Sequence, residues 1–278
     1  MQRLLKDLIV DGVRSVFNDR ARGEQPVRRR EDGLFGPGSA AWRVHGDLAS
    51  MMVGGVAALL LQMLHPAVLA GVWDHSRFRE DMLGRLRRTA RFIALTTYGG
   101  REEAAAAIDR VRRVHRHVHG VLPDGRAYSA DDPDLLAWVH VTETLCFLES
   151  WRRYGEPGMS SVDQDRYFAE TAQIAHRLGA GSVPVTLAGT LAHIEEVRPR
   201  LRVDARTHEV AAILLRQPTQ SLALKPVQQL TFQAAIDLLP DWARRMHGLR
   251  SSGLGRPIVL GGTRTMAEML RWAFRPAG

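Results

Sequence analysis

From Leu48 to Trp73 the chain runs LASMMVGGVAALLLQMLHPAVLAGVW without one Asp, Glu, Lys or Arg. A stretch that long either crosses a bilayer or forms the centre of a large helical core. His65-Pro66 stands in its middle with Gln62 close by, and proline cannot continue a helix through its own position. The stretch is therefore read as two shorter buried helices meeting at His65. A pair of helices apolar on all sides needs amphipathic helices around it, and the rest of the chain supplies them.

Helical punctuation recurs along the sequence. Asp132-Pro133 gives an N-cap and a first-turn proline to DLLAWVHVTETLCFLESWRRYG, with Gly155 at its end. Ser161 or Asp163 can cap a helix ending at Gly179. Further amphipathic stretches run about 2–18, 84–97, 102–119, 184–198, 204–216, 226–247 and 263–275, with Pro240 breaking the penultimate one. The best strand signal, Arg256-Pro-Ile-Val-Leu260, is short and isolated. The fold class is all-α, in one domain over 1–278, with residues 20–40 as a loop.

The single cysteine, Cys146, excludes an intrachain disulfide framework and fits a reducing cytoplasm. The N-terminus MQRLLKDLIVDG reads as an amphipathic helix rather than a leader. The net charge of +8 is carried almost entirely by arginine. The arginines are scattered and no nucleic-acid motif accompanies them, so no nucleic-acid partner is expected. Peripheral membrane contact and an acidic electron-donor protein are the partners such a surface suits.

Six of the eleven histidines lie between His65 and His140. His115 and His119, four apart in RVRRVHRHVHG, would share a helix face. That spacing suits two zinc ligands, but HExxH, paired ExxH motifs and a Cys pair are all missing, so a metal site built from protein alone is poorly supported. A haem asks for less: one neutral His on an apolar helix, plus cations for the propionates.

Five segments occur in a particular order. These are WRVHGD (42–47), LQMLHPAVLAGVWDHSRF (61–78), DMLGRLRRTARFIALTTYG (81–99), RVRRVHRHVHG (110–120) and the WVH-x-T of 138–142. The ordered set resembles the catalytic-domain family of the fungal oxygenase MpaB and the bacterial latex-clearing rubber oxygenases, best over about 40–180. The resemblance implies a globin-like helical core around a haem b pocket and an oxygenase acting on a lipophilic small molecule. It implies His115 as the proximal iron ligand, with His119 as runner-up.

In the same resemblance Arg85, Arg88 and Thr89 fit R-x-x-[KR]-T and form one helical stripe. Rubber oxygenases carry there a lysine able to reach iron. Arg88 is a poor ligand, since a guanidinium stays protonated, and is expected to stabilise charge developing on oxygen, with Thr89 beside it. Arg85, His65, His140 and Thr142 are expected to line the cofactor pocket. His75-Ser76 reads as the cap of a following short helix. Two other classes stay open: a haem-binding sensor or carrier without catalysis, and a non-haem, membrane-peripheral helical protein.

Overall fold

A computed structural model describes Lys6, Ile9, Val10, residues 23–219 and residues 224–275. The expected helix at 2–18 lies almost wholly outside the described residues. Among them the protein is helical apart from one two-stranded hairpin.

The uncharged stretch forms α2 (Leu48–Gln62) and α3 (Pro66–His75), bent by 104° at His65. Among the described residues no single helix is long and apolar enough to cross a membrane. The break frees carbonyls at the end of α2, and each finds a donor. Leu60 O lies 2.8 Å from His247 Nε2, Leu64 O accepts from Arg202 N at 2.8 Å, and Gln62 O accepts from His65 N at 3.1 Å. In front of α2 stands α1 (Ala40–His45), capped by Ser39.

The partner of α2 is α6 (Pro133–Tyr154), the longest helix, capped by Asp132 with Pro133 in its first turn. The two pack along a seam of small residues. A Cβ added to Gly54 would sit 2.9 Å from Cys146 O and 2.9 Å from Phe147 Cδ1, so the backbones meet only because that side chain is absent. Val53, Ala57, Leu60, Leu61, Trp138, Leu145 and Leu148 fill the rest of this core and are fully or nearly fully buried.

Around the seam lie α4 (Met82–Tyr98), α5 (Arg101–His115), α7 (Ser161–Leu178), α8 (Leu187–Val197), α9 (Ala205–Leu215), α10 (Lys225–Leu238), α11 (Asp241–Met246) and α12 (Arg256–Phe274). The N-cap of α7 is Ser160, one residue before the expected Ser161, and Gly179 closes it in the left-handed region at φ 103°. Pro240 separates α10 from α11 as expected. The Arg256–Leu260 run, too short and isolated for a sheet, forms the first turns of α12, where Pro257 supplies a preset φ. Ser76 ends α3 rather than capping a new helix, and Asp81 caps α4.

A buried carboxylate ties the last helix to the core. Asp47 caps α2 through Ser50 N at 2.8 Å and accepts from Arg271 Nε on α12 at 2.6 Å, while the same guanidinium reaches Tyr154 O at the end of α6. Asp47→Ala removes a cap and strands the half-buried Arg271. A loss of about 2–3 kcal/mol is expected in urea unfolding, and a change below about 0.5 kcal/mol would contradict this role.

Candidate functional site

α4 and α5 form an antiparallel hairpin closed at Gly99-Gly100. Glycine is needed there, since a Cβ on Gly99 would meet Leu95 O at 2.6 Å, and Glu103 accepts from Gly100 N at 2.9 Å to start α5. Arg85 precedes the turn and His115 follows it by about 20 Å of helix each, at 1.5 Å per residue. Counting turns thus puts Arg85, Arg88 and Thr89 on one arm and His115 on the other, all toward the open end of the hairpin. The middle of α4, from Gly84 to Leu95, is half-buried or exposed throughout, with Leu86 and Ile93 packed against the core, and Val114 on α5 is 56% exposed.

His115 is the last residue of α5 and half-buried. Burial lowers its pKa, with Asp131 opposing, which favours the neutral imidazole. Among the described residues its ring has no hydrogen-bond partner. Arg85 reaches inward, donates to Ser76 Oγ at 3.1 Å and borders a small void with Leu59, Met63, Val72, Met82 and Leu214. Burial, then the charge of Arg88, lowers its pKa. Arg88 is exposed and paired with Asp81 at 3.3 Å. Thr89 is exposed, its hydroxyl donating to Arg85 O at 3.2 Å.

The shared helical face of His115 and His119 is overturned. The helix stops at His115, Val118 N turns back to His115 O at 2.9 Å, and His119 opens β1 (His119–Val121), which pairs with β2 (Ala127–Ser129). His119 is exposed, and its carbonyl lies 3.2 Å from His75 Nε2.

His65 and Thr142 lie elsewhere. Thr142 is fully buried, its hydroxyl donating to Trp138 O at 2.8 Å within its own helix. His65 occupies the N-cap of α3, its ring 6.3 Å from that of Trp138, and its Nδ1 is buried without a partner. Burial, then Arg200 and Arg126, pull it down to about 4. It borders a cleft of about 640 Å³ with His193, Trp138, Glu196 and Arg200, and none of Arg85, Arg88, Thr89 or His115 lines that cleft.

His140 belongs to a polar cluster that sequence reasoning passed over. His45 ends α1; its Nδ1 lies 2.8 Å from Thr97 Oγ1 on α4 and its Nε2 2.8 Å from Tyr167 OH on α7. Its ring stands edge-on to Phe147 at 5.3 Å. His140, Glu143 and Phe147 follow one another at i, i+3 and i+7 along α6, on one face. Burial drives His45 to about 3 and His140 to about 4, each lowered further by a neighbouring imidazole, and raises the Glu143 carboxyl to about 7. It also raises the Tyr167 hydroxyl.

Yet His45, His140 and Glu143 all keep accessible surface. This cluster lies beside the closed end of the hairpin, because Thr97 is two residues from Gly99. One sequence signal pointed to it: Glu143, a charge on the apolar face of α6, one turn after His140.

The chain matches the family model described as ER-bound oxygenase mpaB/B'/Rubber oxygenase, catalytic domain, over residues 42–272. No curated protein and no solved structure matches it.

Proposed function

Since the chain belongs to the mpaB/rubber-oxygenase catalytic-domain family, an oxidoreductase family, we propose that it is a haem b-dependent oxygenase acting on a lipophilic small molecule. The observation that carries the haem reading is the His115 imidazole: neutral, half-buried and without a partner, at the mouth of a hairpin whose other arm bears Arg85. A neutral imidazole nitrogen is what an axial iron ligand must offer. A half-buried guanidinium with hydrogen-bonding capacity beyond Ser76 suits a propionate carboxylate. Haem, when bound, supplies the binding and activation of dioxygen.

The chain's own residues orient and enclose. Arg85 would hold a propionate of the cofactor. Arg88 and Thr89 are placed one turn further along the same stripe, and Arg88 must leave Asp81 to place its charge over the mouth. On α5, half-buried Val111 and Val114, 56% exposed, give apolar surface suited to a lipophilic substrate.

The absorption spectrum of the purified protein, as isolated and after dithionite, tests this reading. The wild type is expected to carry a Soret band that His115→Ala loses or shifts and His119→Ala keeps. A wild type with no Soret band after reconstitution with haemin would remove the haem reading. A band lost in His119→Ala instead would move the ligand.

A further inference from the structure

The cleft of about 640 Å³ beside His65 takes no part in the haem reading. It is enclosed by the first turn of α3, the first turns of α6, the β1–β2 hairpin, and α8 with the turn of 3-10 helix that follows it (Arg198–Arg200). Its volume falls within the range of small-molecule sites. The inner wall is apolar: Trp138 and Val197 are buried and Leu135 is half-buried.

Two imidazoles interrupt this wall. Among the described residues neither the His65 ring nor the His193 ring has a hydrogen-bond partner, and His65 Nδ1 and His193 Nε2 are buried without one. Buried polar atoms in folded proteins are nearly always paired, so two orphans on one cleft point to a ligand.

The surrounding charges give the sign of that ligand. No side chain caps α3, so its first-turn N–H groups and the positive end of its dipole stand open at His65–Ala67. Besides burial, the charge acting most on the His65 ring is Arg200, followed by Arg126, with Asp132 opposing. Arg200 is exposed, and among the described residues it has no hydrogen-bond or ion-pair partner. Arg126 is already held by Asp124 at 2.7 Å. Asp132 is engaged in capping α6, while Asp134 and Glu196 also border the cleft and would repel a doubly charged group. One spare guanidinium therefore matches one negative charge.

We propose that this cleft is a second binding site, separate from the haem, for a lipophilic monocarboxylate. Its carboxylate meets Arg200 and the start of α3, and its apolar body lies along Trp138, Leu135 and Val197. A guanidinium fork takes a carboxylate through two parallel hydrogen bonds. Each imidazole carries at least one N–H whatever its tautomer, and with no protein partner to hold it that N–H is free to turn to a carboxylate oxygen.

Isothermal titration calorimetry of the whole protein with decanoate, at neutral pH and below micelle formation, tests this assignment. Decanoate is expected to bind one-to-one, and Arg200→Gln to weaken it by about ten-fold or more, the worth of a hydrogen bond to a charged group. Decan-1-ol, which has the chain without the charge, is expected to bind wild type and Arg200→Gln alike. Ala192→Trp, at an exposed position on the cleft, is expected to fill it and abolish binding of both. His115→Ala is expected to leave decanoate binding unchanged. Because Arg200 and Ala192 are both exposed, their variants should keep the wild-type urea midpoint. In nitrogen-15 spectra of the imidazoles, the His65 and His193 rings are expected to shift as decanoate is added. Absence of binding, binding indifferent to both Arg200→Gln and Ala192→Trp, or ring resonances that stay in place would each overturn the proposal. Displacement of decanoate by inorganic phosphate would overturn it too, leaving a general anion site. A Soret band lost in His65→Gln with His115 intact would make the cleft the cofactor pocket and overturn it from the other side.

Discussion

Gly54→Leu is expected to leave the protein largely unfolded, while Gly55→Ala, one residue away, is expected to be neutral or stabilising. The contrast follows from the seam between α2 and α6. At Gly54 the nearest atoms to a new Cβ are the Cys146 carbonyl oxygen at 2.9 Å, Phe147 Cδ1 at 2.9 Å and Phe147 Cα at 3.1 Å. Two of the three belong to backbone, which cannot rotate aside. At Gly55 the nearest atom is Phe147 Cε1 at 3.7 Å, an ordinary contact.

Overpacking a core normally costs about 1–3 kcal/mol where side chains can adjust. Forcing two helix backbones apart along the main seam should exceed about 4 kcal/mol, a large share of the stability of a domain. At Gly55 the helix propensity of alanine acts alone, worth up to about 1 kcal/mol in favour. Urea midpoints of the two variants check this, and equal destabilisation at both positions would contradict the packing described for the seam.

Acidification from pH 7 to pH 4.5 is expected to remove on the order of 5 kcal/mol of stability, enough to unfold a marginal domain. The imidazoles of His45, His140 and His65 are held far below their usual 6.5, at about 3, about 4 and about 4. Between 6.5 and those values the unfolded chain binds the protons and the folded chain does not. Their contribution is thus complete above pH 6.5 and drains away as the pH falls. Each withholds up to about 3 kcal/mol by pH 4.5, as an upper bound, because His65 and His140 keep some contact with solvent.

Glu143 works in the opposite sense. Its folded value of about 7 lies above its usual 4.5, so its contribution is complete below 4.5 and is lost as the pH rises through 7. It offsets about one histidine over the same interval. Urea unfolding at pH 8, 6.5 and 4.5 should therefore show Glu143→Gln more stable than wild type at pH 8 and falling more steeply with acid. Parallel pH profiles for the two proteins would show that the carboxyl is not buried as described.

What was legible beforehand was mostly local. Asp132-Pro133 and Gly155 bound α6 as read, Gly179 closes α7, and the break at His65-Pro66 falls where the proline required it. The misreadings are also local in origin. Three-residue strands are too short to show alternation, so the β1–β2 hairpin was absorbed into the preceding helix and carried His119 onto a helical face it does not occupy. β-branched Ile258 and Val259, with Leu260, made this the best strand signal in the chain, but Pro257 at the start of a turn decides for helix.

The hairpin bearing Arg85, Arg88, Thr89 and His115 could be assembled from motif order alone. The buried polar cluster could not. Its members come from α1, α4, α6 and α7, and no spacing in the chain announces that His45, Thr97, Glu143 and Tyr167 converge.

The seam also sets the behaviour of the one thiol. Cys146 is 5% exposed beside Gly54, and burial raises its pKa further above the usual range. A thiol reagent in bulk solution can reach it only when α2 and α6 part, and the thiolate that reacts is scarce until they do. The chain therefore carries a built-in clock for its own opening: in folded protein the labelling rate counts excursions of the central seam, and ligands that hold the fold closed should slow that count without touching the sulfur.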